Sequence, residues 1–297
     1  MAAQQYAGTR TLVSHAQLTR GRGRAIYWTL LVLVVLTFTL IFIGPLYWMI
    51  TGALKSGQEI AQTPPTLFPS DPQPQNYVDA WNRLNLAKLL FNTAYYAFGA
   101  LVFQLVLDTA AAYALSKLRP VLGNLILGLM LATLMIPAMV LIIPQYVTVI
   151  DLPILHISLL DSPFAIWLPT VANAFNIFLL KRFFDSIPED VMSAARIDGA
   201  SALRTLWSII LPMSRPILGV VSIFAVTAVW KDFLWPKLVM PSPETRTISV
   251  GIYAFAGGTP MNVVIAAAVI AAVPTIIFFL IFQKNIMSGL TTGGLKG

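Results

Sequence analysis

The chain has 297 residues, of which 57% are hydrophobic and 10% charged, with a formal net charge of +7 and no cysteine. A soluble domain carries about 25% charge, so this chain cannot clothe an ordinary globular surface; its mean hydropathy of +0.77 marks an all-α integral membrane protein. The missing cysteine excludes disulfides, cysteine-held zinc, iron–sulfur clusters and thiol catalysis, the 2 histidines exclude a histidine-rich metal site, and the basic balance points to the cytoplasmic face of a membrane rather than to nucleic acid.

Residues 1–24 read as a cytoplasmic tail whose Arg10, Arg20, Arg22 and Arg24 meet anionic membrane lipid. A helix crosses the roughly 30 Å hydrocarbon core in about 20 residues, and the charge-free stretch 25–50 is the first span. It is too long for a secretory signal and no small-residue cleavage site follows, so it is retained. The stretch 63–76 holds five prolines in fourteen residues and is stiff and extended. The second span, 89–116, is interrupted only by Asp108, the one ionisable residue well inside an apolar span. A charge there costs at least about 2.5 kcal/mol, so Asp108 faces protein or water, with Gln104 one turn earlier on the same face. The pair lines a solute path or ties helices together, and the lack of an obvious basic partner favours the tie.

The third span, 121–147, carries Pro137 and Pro144. His156 lies solvated in the short acidic loop 151–161. The fourth span, 162–182, contains Pro169, Asn173 and Asn176, whose amides touch solute or bind neighbouring helices. In the fifth, 213–235, only 216–230 is charge-free, so Arg215 and Lys231 snorkel or are shielded by protein. A loop at 237–260 leads to the sixth span, 261–284, with Pro274. These prolines break helical hydrogen bonds that neighbouring protein must restore, and they are candidate pivots. Six spans put both termini on one side, which holds thirteen of the 19 Lys and Arg. Both termini are therefore expected in the cytoplasm of a multi-pass protein of the cell (inner or plasma) membrane.

The connection 185–212 has internal design. Ser186-Ile187-Pro188-Glu189 fits a capping box, with Glu189 and Asp190 where a helix dipole favours acids. A short helix should run to Asp198, Gly199 should take a left-handed turn, and Ser201 should cap a second helix from Leu203 to Leu211, closed by Pro212. Composition alone would make this an amphipathic connector on the lipid surface. Its spacing says more. Ser193-Ala194-Ala195, three residues, Gly199, nine residues, then Ile209-Ile210-Leu211-Pro212 resembles the EAA loop of ABC-importer permeases, and Ala195 to Ser201, through Asp198 and Ala200, resembles the form in sugar importers. Ser193 stands where the family has glutamate.

The resemblance covers nearly the whole chain and points to the shorter permease of the maltose-importer type. Phe68-Pro69, Phe91-Asn92-Thr93, Ile136-Pro137 and Ile143-Pro144 resemble its segments. Trp230-Lys231-Asp232-Phe233-Leu234-Trp235-Pro236 is similar to its W-N-D-F-L-W-P stretch, with Lys231 in place of asparagine. The resemblance implies a type I importer permease fold with no catalytic activity, and no cofactor of its own. It also implies partners: a second permease subunit, two ATP-binding subunits that carry ATP and Mg and dock on the loop, and an extracytoplasmic solute-binding protein approached by the loop 237–260. Consistently, the chain has no G-x-x-x-x-G-K-[ST] phosphate loop. The solute implied is a sugar or related polyol, with Gln104, Asp108, Asn173, Asn176, Trp230 and Asp232 as candidate path residues. Trp230, Asp232 and Trp235 suit stacking on sugar rings, although tryptophans at span ends more often form the interfacial belt. An ion-coupled secondary transporter is the alternative; it needs ion ligands near the midplane and an internal repeat, of which only Asp108 offers itself. A membrane enzyme lacks any cluster of paired carboxylates or poised nucleophile.

Overall fold

The computed structural model describes residues 21–294, excluding the side chains of Arg22 and of 284–294. Arg10, His15, Arg20 and the terminal Leu295-Lys296-Gly297 lie outside the described residues. Those described form helices and turns and no strand. In chain order they are α1 (Gly21–Ala53), α2 (Gly57–Ile60), α3 (Gln75–Arg83) and α4 (Leu86–Tyr113), which runs on as a π-helical turn at Ala114–Leu118. Then come α5 (Gly123–Thr133), α6 (Ala138–Ile150), α7 (Phe164–Thr170), α8 (Ala174–Asp185), α9 (Glu189–Ile197) and α10 (Ala202–Thr205). A second π-helical turn, Leu206–Ile210, leads to α11 (Leu211–Met213), α12 (Arg215–Lys231), α13 (Leu234–Val239), α14 (Ile248–Ala256) and α15 (Met261–Gly294).

Three of these helices are long and apolar enough to cross a membrane unaided, over Gly23–Ala53, Leu86–Leu118 and Met261–Gln283. The other crossings are bent: α5 and α6 meet at 101°, α7 and α8 at 49°, and the segment Ala202–Met213 meets α12 at 85°. Counting each bent pair once gives six. The breaks follow from backbone chemistry. Pro137 has no N–H and disfavours helix in the residue before it; it sits in extended backbone (φ −58°, ψ 128°) as the cap of α6. Pro144, by contrast, stays inside α6. The fifth crossing is α12 itself, 17 residues or about 26 Å long. It is shorter than the roughly 30 Å hydrocarbon core, so Arg215 and Lys231 at its two ends must snorkel or be shielded by protein.

At the centre, α4 packs against α12, α8 and α7, while α15 bridges α12 and α1. Small residues let these backbones approach: Ala97, Ala100 and Ala112 on α4, Gly219 and Ala225 on α12, Ala266 and Ala267 on α15 are all buried. Gly99 lets the Trp167 indole lie across α4, because a Cβ there would collide with the ring. The apolar window of α1 has no buried residue, as expected of a helix whose only solvent on most sides is lipid.

The segment 237–260 is not a free loop. It contains α14, and its first half is tied down. Asn92 donates its amide to the carbonyls of Glu244 (2.8 Å) and Arg246 (3.0 Å). The Tyr96 hydroxyl donates to Thr245 O at 2.9 Å, the Ile248 amide donates to Thr93 Oγ1 at 2.8 Å, and Lys88 pairs with Glu244. Asp161 accepts from the Ser242 amide (3.0 Å), the Ser242 hydroxyl (2.7 Å) and the Thr245 hydroxyl. Residues 253–258 at its far end are exposed, Tyr253 and Phe255 among them, although the Tyr253 ring still meets Phe233.

Candidate coupling loop and solute path

The connection 185–212 folds as a platform fixed at its base and open at its corner. The base is held by polar links to the turn that ends α4: Ser116 Oγ donates to Asp185 Oδ1 (2.7 Å) and Lys117 Nζ donates to Ile187 O (2.8 Å), while Lys181, one turn earlier on α8, pairs with Asp185 Oδ2 at 2.8 Å. Ser186 does not form the expected capping box. It ends α8, and its hydroxyl donates back to Phe183 O at 2.6 Å, because Ile187 must turn inward to be buried. Pro188 instead caps α9, with φ −56° and ψ 141°. Glu189 opens that helix, with its carboxylate 3.6 Å from Arg196 and 4.0 Å from Arg119, all exposed. Ile187 and Met192 join Tyr113, Phe184, Leu206, Ile210 and Val221 in one buried cluster, and Ala195 is buried as well. Ser193 and Ala194 face outward.

The corner is a left-handed C-cap. Gly199 has φ +70°; its amide donates to Arg196 O (3.1 Å), and the Ala200 amide donates to Ala195 O (2.9 Å). That pair of bonds is the Schellman arrangement that satisfies the last carbonyls of a helix. Asp198 is the exposed cap residue before it. Ser201 Oγ then accepts from the Arg204 amide at 3.3 Å and starts α10. The second helix begins at Ala202 and is not the regular Leu203–Leu211 helix expected. Its ladder widens, with the Leu211 amide reaching back to Leu206 O, because Pro212 has no N–H to continue the four-residue spacing. Around the corner stand Ile197, Leu203 and Trp207, 87%, 70% and 65% exposed. Sequence reading did not single these out, although Leu203 and Trp207 lie four residues apart, the spacing of neighbours on one helix face.

Inside the bundle the structure brings four of the polar candidates together. Asp108, fully buried, accepts the Asn173 backbone N–H at 3.0 Å. Asn173 Oδ1 accepts the Asn176 amide at 3.1 Å, and Asn176 Nδ2 donates to Gln104 Oε1 at 3.1 Å. Asn173 lies at the bend between α7 and α8, where a broken ladder leaves amides without partners. Asp108 and Asn173 supply those partners. The same repair recurs with tryptophan: Pro169 cannot donate to Ala165 O, and Trp235 Nε1 does so at 2.9 Å. Trp230 Nε1 donates to Ala271 O at 3.2 Å, in the turn before Pro274. Trp230 is thus half-buried against the last helix and separated from the amide cluster.

A cavity of about 480 Å³ opens beside the cluster and is lined by Gln104, Thr170, Asn173, Asn176, Thr227 and Lys231 among others. Asp108 lies behind it and is not part of its wall. Asp232 borders a second cavity of about 310 Å³ that shares Pro169 and Thr170 with the first; its carboxylate faces the Trp235 amide at 3.4 Å. No group of three His, Cys, Asp or Glu suited to a metal occurs among the described residues.

The family described as binding-protein-dependent transport system inner membrane component matches residues 109–291, from the end of α4 through the platform into α15. The chain belongs to this family. It is a permease subunit of an ABC importer. The permease is 34% identical over 257 residues to the sulfoquinovosyl glycerol transport system permease protein of Agrobacterium fabrum, covering 85% of this chain and 88% of the relative. It is 31% identical over 261 residues to the sn-glycerol-3-phosphate transport system permease protein of Yersinia enterocolitica, covering 84% and 91%. In three dimensions it is similar to a chain of a bacterial ABC transporter involved in the import of the acidic polysaccharide alginate, with TM-score 0.78, 26% identity, and 89% and 98% of the two chains covered.

Proposed function

We propose that this permease carries a carbohydrate or related polyol inward by alternating access, driven by two ATP-binding subunits that dock on the 185–212 platform from the cytoplasm. Both termini then lie in the cytoplasm, beside a second permease subunit, and the opposite face meets an extracytoplasmic solute-binding protein. The chain contributes no ATPase chemistry. Its likeness to permeases of sulfoquinovosyl glycerol and sn-glycerol-3-phosphate transport systems and to a chain of an alginate importer supports the solute class.

The observation that carries the reading is the platform's asymmetry. Its corner exposes Ile197, Leu203 and Trp207, while Ile187, Met192 and Ala195 are buried in the bundle. Large apolar groups on an outward rim mark a docking surface, and packed interiors pass displacement on because they are close to incompressible. Motion imposed on α9 would thus reach α8, α12 and the end of α4, the helices that frame the cavity. The secondary-transporter alternative is weaker, because one oxygen of Asp108 already serves the Asn173 backbone.

The test is reconstitution of the permease with its ATPase, second permease and binding protein in liposomes. Solute-loaded binding protein should raise ATP hydrolysis and drive uptake, while the isolated chain neither binds nor hydrolyses ATP. Uptake driven by an ion gradient in the absence of ATP would overturn the reading.

A further inference from the structure

Among the lysines whose side chains are described, all but one are accounted for inside the chain. Lys55 donates to Thr66 O, Lys88 pairs with Glu244, Lys117 donates to Ile187 O, Lys181 pairs with Asp185, and Lys237 lies over the Phe233 and Tyr253 rings. Lys231 is the exception. Among the described residues no carboxylate lies within 4.0 Å of its ammonium, and no carbonyl or aromatic ring partners it. Its nearest acidic neighbour in sequence, Asp232, faces the Trp235 amide and the second cavity. Asp108 is occupied by Asn173.

Lys231 lines the cavity of about 480 Å³ and is the one charged residue in its wall. That volume suits a small-molecule site. The remaining polar wall is amide and hydroxyl, groups that donate to and accept from solute hydroxyls. A lone ammonium beside them has a different use. Lys231 is itself exposed, so its ammonium is free to meet solute in this cavity, and an anionic ligand gains charge-assisted hydrogen bonds from it that a neutral one does not. We infer that the solute of this importer is anionic, a carbohydrate or polyol bearing a carboxylate, sulfonate or phosphate, and that Lys231 is its counter-ion in the path. The inference rests on the importer reading and on the cavity belonging to the path.

The reconstituted importer tests it with matched probes: glucuronate against glucose, sulfoquinovose against glucose, glycerol 3-phosphate against glycerol, and maltose as a neutral disaccharide. One anionic class should stimulate ATP hydrolysis through the binding protein and be taken up, and its neutral counterpart should not; which class responds separates carboxylate, sulfonate and phosphate. Lys231→Gln should slow uptake of that anion roughly 10- to 100-fold, while Lys231→Arg retains most of it. Co-purification of each variant with its partners separates lost recognition from lost assembly. Response to neutral probes alone, or wild-type uptake of the anion by Lys231→Gln, overturns the inference and leaves the importer reading standing. A complex that responds to no probe overturns the carbohydrate-importer reading itself.

Discussion

Asp108 offers the sharpest separation between a structural and a solute-contacting role. Its Oδ1 accepts the Asn173 N–H at 3.0 Å where the α7–α8 crossing bends, its Oδ2 has no partner, and the side chain is fully buried. Asp108→Ala leaves the Asn173 amide without an acceptor. A buried donor so orphaned costs about 1–3 kcal/mol, with the lower end favoured inside a membrane bundle, where measured side-chain hydrogen bonds average about 0.6 kcal/mol. Asp108→Asn keeps an acceptor oxygen of the same shape and removes only the charge, so its cost should stay below about 1 kcal/mol. Thermal unfolding of the assembled importer in mild detergent, followed by tryptophan fluorescence, should rank wild type and Asn together and Ala clearly lower. Uptake should survive the Asn substitution. Loss of uptake in Asp108→Asn with assembly and stability intact would refute the structural account and make the charge itself a working part of the path.

Three further outcomes follow from particular contacts. No heavy atom lies within 4 Å of a Cβ built on Gly199, so Gly199→Val meets only the left-handed backbone cost, roughly 1–2 kcal/mol; the variant should insert and assemble but hydrolyse more ATP per solute moved, whereas Gly199→Asn should stay near wild type, and normal coupling in the valine variant would remove the corner from the mechanism. Trp235→Phe should destabilise the assembled complex by about 1–3 kcal/mol through the orphaned Ala165 carbonyl, and less in a Pro169→Ala background that restores a backbone donor; equal effects in both backgrounds would show that the indole N–H does not matter. Burial opposes the charge of Asp161, but bonds from Thr245 and Ser242 with the Arg246 charge outweigh it and hold the carboxyl below its ordinary 3.8. Its clamp on 240–247 should therefore be fully present above that value and lost as pH falls through the lower folded one; hydrogen exchange of the segment should rise in acid for wild type, and Asp161→Asn should abolish that pH dependence.

Much of the architecture is legible in residue order because lipid imposes so coarse a rule. Long apolar stretches with at most one charge, at 25–50, 89–116 and 261–284, become the three uninterrupted crossings, and the prolines mark regions where the others bend. Gly199 and Ser201 declare the corner, since few residue types take a left-handed turn or cap a helix. Ser186 misleads: a serine three residues before glutamate also fits the end of the preceding helix, and only the burial of Ile187 decides. The roles of Trp230 and Trp235 were equally hidden, because the carbonyls they serve lie 41 and 70 positions away in sequence. Lys231 was visible as a departure from the asparagine of related chains, but its lack of a partner emerges only beside the other lysines whose side chains are described.

The central claim is that the Gly199 corner passes ATPase motion into the bundle. The chain has no cysteine, so Ala200→Cys, beside that corner and half-buried, is a single reporter. In the assembled importer it should crosslink to a cysteine in the facing groove of the ATPase, with a yield that changes when nucleotide and solute-loaded binding protein are added together. A thiol that reacts freely with aqueous reagents, never with the ATPase, and identically in every nucleotide state would contradict the account.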